Sequence, residues 1–127
     1  MARKQSDTLT AAELRLMDIL WDLGCATVSE VMEALPPQPP LAYNTVLTTL
    51  RILERKGYVR HQKNSRAFVF SPLIDHRQAS RSAVGYLVSR FFRNSPKALV
   101  LRILEDQKLD PGQLQRLKQM IEESKVQ

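Results

Sequence analysis

Over the first forty residues the apolar positions recur at helical intervals. Leu14, Met17, Leu20 and Trp21 are spaced so that one stripe of a helix faces a core. Thr10-Ala-Ala-Glu13 stands where that helix begins, with the spacing at which a hydroxyl and a carboxylate each satisfy an orphaned helix-terminal N–H. Gly24 is its stop. A second box, Thr27-Val-Ser-Glu30, opens a shorter helix carrying Val31 and Leu35. The run Pro36-Pro-Gln-Pro-Pro40 ends it, because proline lacks the N–H and restricts the residue before it.

From Ala42 to Lys56 the pattern is helical again and two-faced. At about 100° per residue, Val46, Leu50 and Leu53 fall opposite Asn44, Thr48, Arg51 and Arg55. One side is predicted to be buried, and the other presents amide, hydroxyl and guanidinium groups. Gly57 is the expected left-handed cap. The period then changes: Tyr58 to Gln62 and Ala67 to Ser71 are β-prone runs around the polar turn Lys63-Asn64-Ser65-Arg66. They predict a hairpin with a basic tip, and Pro72 prevents simple continuation of its second strand.

Beyond Pro72 the chain reads as three helices, about 75–92, 96–105 and 111–125, the last two opened by Ser95-Pro96 and Asp110-Pro111. Ala83, Leu87 and Phe91 form one stripe, and Leu114, Leu117 and Ile121 another. Ala98-Leu99-Val100-Leu101 with Ile103-Leu104 is apolar around most of its helix. So short a helical segment cannot cover that surface alone, and a second copy is the simplest cover. The fold class expected is mainly α with a small β-hairpin wing: a winged helix-turn-helix over 1–72, then a helical dimerisation segment over 73–127. Its expected dimer contacts are Leu87, Phe91, Leu99, Leu101, Leu104, Leu117 and Ile121.

With 127 residues the chain is one domain, or one small domain with an appendage, which excludes a multidomain enzyme. Its net charge is +6, and the charge is unevenly placed. Between Leu41 and Pro72 there are six basic residues (Arg51, Arg55, Lys56, Arg60, Lys63, Arg66) against Glu54 alone, so this segment supplies five of the six net charges. That is the footprint of a polyanion partner, although many charged stretches are only solvated faces. The single Cys25 excludes an internal disulfide framework. There is no long apolar run and no signal-type start, so the expectation is a cytoplasmic protein without stable membrane insertion.

The chemistry on the third helix suits double-stranded DNA. Arg51 offers a two-donor fork for guanine edges or phosphate, Asn44 pairs with adenine, and Thr45 and Thr48 bond bases or phosphates. Lys63 and Arg66 at the hairpin tip suit phosphates, which set register without reading sequence. Arg55 and Lys56 lie near the helix C-terminus, where interaction with the helix dipole accounts for them equally well. Cys25, His61 and His76 have neither metal-ligand nor nucleophile–base spacing, so no metal, cofactor or catalytic site is expected. Cys25 reads as a small turn residue, His61 as a hairpin residue grazing phosphate and Trp21 as core. No phosphate-cradling glycine loop is present.

These residues also carry a family resemblance. Leu9-Thr-Ala-Ala-Glu13, Met17-Asp-Ile-Leu-Trp21, Leu41-Ala-Tyr-Asn-Thr-Val-Leu-Thr-Thr-Leu50, Leu53-Glu-Arg-Lys-Gly-Tyr-Val59 and Arg66-Ala-Phe-Val-Phe-Ser-Pro72 resemble, in order and spacing, the BlaI/MecI/CopY family of bacterial repressors. The resemblance runs across nearly the whole chain. It implies a homodimer whose winged helices read an operator dyad, repressing genes for β-lactam resistance, copper handling or other neighbouring functions. With it, the DNA-facing set becomes Tyr43, Asn44, Thr45, Thr48, Arg51, Arg55, Lys63 and Arg66.

Two departures qualify what carries over. Copper-responsive members resemble one another in a C-terminal cysteine cluster, and no cysteine follows Cys25 here. In antibiotic-responsive members a membrane sensor protease triggers cleavage within the dimerisation segment. The matching pair here, and so the cleavage position that the resemblance implies, is Arg102-Ile103, where the best-known members have Asn-Phe. An alternative of another class is a winged-helix scaffold whose basic face binds an acidic protein.

Overall fold

The computed structural model describes residues 8–125, without the side chain of Lys125. Three helices are followed by a hairpin and three further helices. α1 (Ala11–Leu23) begins at the expected box: the Thr10 hydroxyl accepts from the Glu13 N–H at 3.1 Å, and Glu13 Oε1 accepts from the Thr10 N–H at 2.8 Å. It ends at Gly24, whose φ of 84° is one that side-chain-bearing residues rarely adopt. The second box, at Thr27 and Glu30, opens α2 (Val28–Ala34). α3 (Tyr43–Lys56) has no side-chain cap at Ala42 and closes on Gly57 in the left-handed conformation.

One pairing escaped the sequence reading. Ala26–Thr27 forms a short strand, β1, ahead of β2 (Val59–Asn64) and β3 (Ala67–Pro72). The sheet is antiparallel in the order β1-β3-β2, so β3 is central. Phe70 opposes Ala26 on one side and His61 on the other. Two residues cannot be told from a turn by periodicity, and only the distant partner makes them a strand. The hairpin is also tighter than expected: Asn64 opposes Ala67, leaving Ser65 and Arg66 as the turn, with Ser65 at φ 56°. Pro72 is the last strand residue, opposite Val59.

Leu16, Met17, Leu20, Val31, Val46, Leu50 and Leu53 are completely buried, and Tyr58, Val59 and Phe70 nearly so. The apolar side of α3 thus packs into the centre of this domain, as its two-faced pattern predicts. Shortening Leu50 to alanine should cost about 2–5 kcal/mol. The first helix is rotated from its expected stripe: Leu14 is 42% exposed, whereas Leu16 and Ile19 face inward. Leu16, Met17, Ile19 and Leu20 pack together in the core, and Glu13, a buried carboxylate described below, lies on the same helix and ties it to α3.

α4 (His76–Phe91), α5 (Pro96–Asp106) and α6 (Pro111–Lys125) follow the expected bounds within one or two residues. Asp75 and Asp110 each accept from an N–H three residues on, those of Gln78 and Gln113, and each glutamine side chain reciprocates. Contacts divide the chain into two compact units, residues 1–86 and 87–127. In the second unit no side chain of α5 is buried, and Phe91 is 70% exposed. Among the described residues no helix is long and apolar enough to cross a membrane.

Candidate nucleic-acid interface

α3 sorts its residues as the 3.6-residue period requires. Val46, Leu50 and Leu53 are buried, while Tyr43, Asn44, Thr45, Thr48, Arg51 and Arg55 are all exposed. The hydroxyl of Thr49 donates to the Thr45 carbonyl at 2.7 Å. The first turn, holding Tyr43, Asn44 and Thr45, has no side-chain cap, so its helix-terminal donors suit an outside acceptor such as phosphate.

The wing stands beside this face. Arg66, in the hairpin turn, lines with Tyr43, Leu47 and Phe68 a concavity of about 380 Å³ that also touches Thr27 and Ser29. Tyr43 and Phe68 are 49% and 41% exposed, which places two aromatic rings beside the Arg66 guanidinium group. Lys63 is exposed on β2, opposite Phe68. Recognition-helix and wing residues chosen separately in the sequence therefore share a wall.

A second, smaller recess of about 70 Å³ is lined by Arg51, Glu54, His61, Phe68 and Phe70. Here His61 holds Glu54. Its Nδ1 lies 2.7 and 2.8 Å from the two carboxylate oxygens, and its backbone N–H donates to Oε2 at 3.2 Å. A carboxylate only accepts, so Nδ1 carries the proton. The imidazole also meets Phe68 edge-on, with centroids 5.1 Å apart. The hairpin base is thereby tied to the last turns of α3. Sequence reasoning placed His61 against phosphate and missed this contact, because the partner lies seven residues back, across the Gly57 reversal.

The basic segment needs one further correction. Lys56, counted with the polyanion footprint, turns inward: its Nζ is 2.8 Å from Glu13 Oε1 and 3.4 Å from the Thr8 carbonyl. Arg55 stays on the exposed side. Trp21, expected in the core, is only partly buried; its indole N–H donates to the Ile74 carbonyl at 2.8 Å and its ring meets His76 at 5.0 Å. His76 thus has a structural neighbour, and Cys25 is exposed in the turn after α1. No cluster of three potential metal ligands exists among the described residues.

In the second unit the expected dimer contacts are present on open surface. Leu87, Phe91, Leu101, Leu104, Leu117 and Ile121 are 40–70% exposed, and Leu99 is half-buried. Arg102 and Ile103 lie inside α5, with the Arg102 guanidinium 3.9 Å from Asp106.

Comparison with known proteins agrees with this geometry. The penicillinase repressor family profile matches residues 9–123. The penicillinase repressor of Bacillus licheniformis is 29% identical over 122 residues, covering 96% of this chain and 95% of that protein. The methicillin resistance regulatory protein MecI of Staphylococcus aureus is 20% identical over 113 residues, covering 89% and 92%. Among solved structures, the DNA binding domain of the repressor BlaI superposes with a TM-score of 0.52 at 31% identity, covering 59% of this chain and 92% of that one. The oxidized form of MarR from E. coli shares the fold, with a TM-score of 0.50 at 15% identity over 91% of this chain and 75% of that one. With the profile spanning nearly the whole chain, and the winged helix built as described, this chain belongs to the penicillinase repressor family of transcriptional repressors.

Proposed function

We propose that this chain represses transcription by binding operator DNA as a homodimer in the cytoplasm. In this reading α3 lies in the major groove, with Asn44, Thr45, Thr48 and Arg51 toward base edges. Lys63 and Arg66 of the wing, with Tyr43 and Arg55, meet the flanking phosphates. The observation that carries it is the division of α3 into a fully buried apolar side and an exposed side of amide, hydroxyl and guanidinium groups, flanked by a basic wing.

The helices after Pro72 supply the dimer contacts through Leu87, Phe91, Leu99, Leu101, Leu104, Leu117 and Ile121, since their apolar surface has no cover within the described chain. Two linked half-site readers bind far more tightly than one. The regulated genes are those of β-lactam resistance or neighbours of the repressor, and a sensor-triggered signal relieves repression. A cut at Arg102-Ile103 requires α5 to unwind locally, because both residues sit in its helical interior.

The test is an electrophoretic shift of a duplex from the chain's own upstream region, titrated with salt. Binding should prefer that duplex over random sequence and fall steeply with salt, each neutralised phosphate adding roughly −0.9 to the log–log slope. A protein-binding scaffold gives no shift, and salt-independent binding would overturn the DNA reading.

A further inference from the structure

Within the segment predicted to face DNA there is one acid, Glu54, and it stands three residues after Arg51 on the same helix. At that spacing opposite charges are neighbours and pair readily. Arg51 and Glu54 do line the same recess, yet among the described residues Arg51 makes no ion pair. The carboxylate is engaged elsewhere: both oxygens are within 2.8 Å of His61 Nδ1, and one also takes the His61 backbone N–H.

We propose that His61 is a positioning residue for operator recognition, which holds Glu54 on the wing side and so leaves the Arg51 guanidinium for the DNA. The inference rests on the reading that Arg51 contacts the operator. Three features of the contact suit the role. The imidazole donor faces the carboxylate while the ring is braced edge-on by Phe68 and lies 5.7 Å from Phe70, which limits its rotation. The backbone donor belongs to β2, an edge strand, so the same carboxylate occupies an N–H that would otherwise face outward. Glu54 and His61 are 33% and 41% exposed, so the pair is solvent-accessible, and without the imidazole the carboxylate keeps only the longer backbone contact at 3.2 Å and can swing toward Arg51. An uncaptured Arg51 forms a bidentate contact with a base edge or phosphate; a captured one does not.

The test uses the full chain and compares its own upstream duplex with a random duplex of equal length. His61→Ala should lower the preference by about tenfold, the size of one lost bidentate contact. Adding Glu54→Gln to that variant should restore it, because no carboxylate remains to take Arg51. His61→Asn, which keeps a donor near the Nδ1 position, should retain most of it. Glu54→Gln alone should bind with undiminished preference, an outcome readable even where His61→Ala folds poorly. If the loss in His61→Ala is not repaired by Glu54→Gln, His61 acts by direct contact or by supporting the wing, and the proposal is overturned. An Arg51→Ala control separates the two levels. Unchanged preference there removes the underlying reading, and the proposal with it. A lost preference there, beside a neutral His61→Ala, overturns the proposal alone.

Discussion

The ammonium of Lys56 lies 2.8 Å from the carboxylate of Glu13, joining the last turn of α3 to the first turn of α1. Glu13 is 4% exposed and also closes the capping box with Thr10, so one carboxylate serves both helix initiation and helix packing. Lys56→Met leaves a buried carboxylate with only the Thr10 N–H. Chemical denaturation should show a loss of about 1.5–3 kcal/mol. The salt slope of DNA binding, measured under conditions where the variant is folded, should not change, because this ammonium does not face the duplex.

Arg51→Ala and Lys63→Ala should separate reading from attraction. The first should reduce discrimination between the operator and single-base variants by about 1–3 kcal/mol. The second should weaken all sequences nearly equally and make the salt slope shallower by about 0.9. Competition titrations at several salt concentrations distinguish the two signatures.

Where the DNA-binding part can be cut depends on Trp21. Its indole donates to the Ile74 carbonyl, and Ala79 of α4 is 8% exposed against the same core. A fragment of residues 1–72 should fold and be monomeric, but removes both groups. A fragment of residues 1–86 should be more stable by about 0.5–1.5 kcal/mol, the usual net contribution of one such hydrogen bond, with the burial of Ala79 added to it. Trp21→Phe in the longer fragment should give back part of that gain, as read by urea denaturation.

Leu104→Asp and Leu117→Asp each place a charge on surface proposed to meet a second copy; the leucines are 43% and 40% exposed in the single chain. The double variant should sediment as a monomer with its helical circular dichroism largely kept. It should also bind the operator far less tightly, since avidity is lost while each α3 is untouched. A dimer that survives both charges would move the interface elsewhere.

The ends of the elements were legible because they depend on neighbouring residues. Two capping boxes, Gly57 and the Ser-Pro and Asp-Pro pairs place helix boundaries through hydrogen bonds within a few positions. The exposed side of α3 was legible for the same reason, since period alone sets which residues share a face. The strand at Ala26–Thr27 was not, and neither was the rotation of α1, in which Leu14 yields its place to Leu16 and Ile19. Both depend on partners more than thirty residues away.

The sequence by itself determined the helices, the hairpin, the polar side of α3 and the concentration of positive charge around it, all consequences of local hydrogen bonding and periodicity. Only the tertiary structure decided how that charge is used. It turns Lys56 inward to Glu13, attaches Glu54 to His61 across the Gly57 turn, and brings Tyr43 and Arg66 to one concavity. The physical reason is that an ion pair is settled by side-chain reach and burial in the folded chain. Neither residue type nor spacing along the sequence records which of several neighbouring charges a carboxylate will meet.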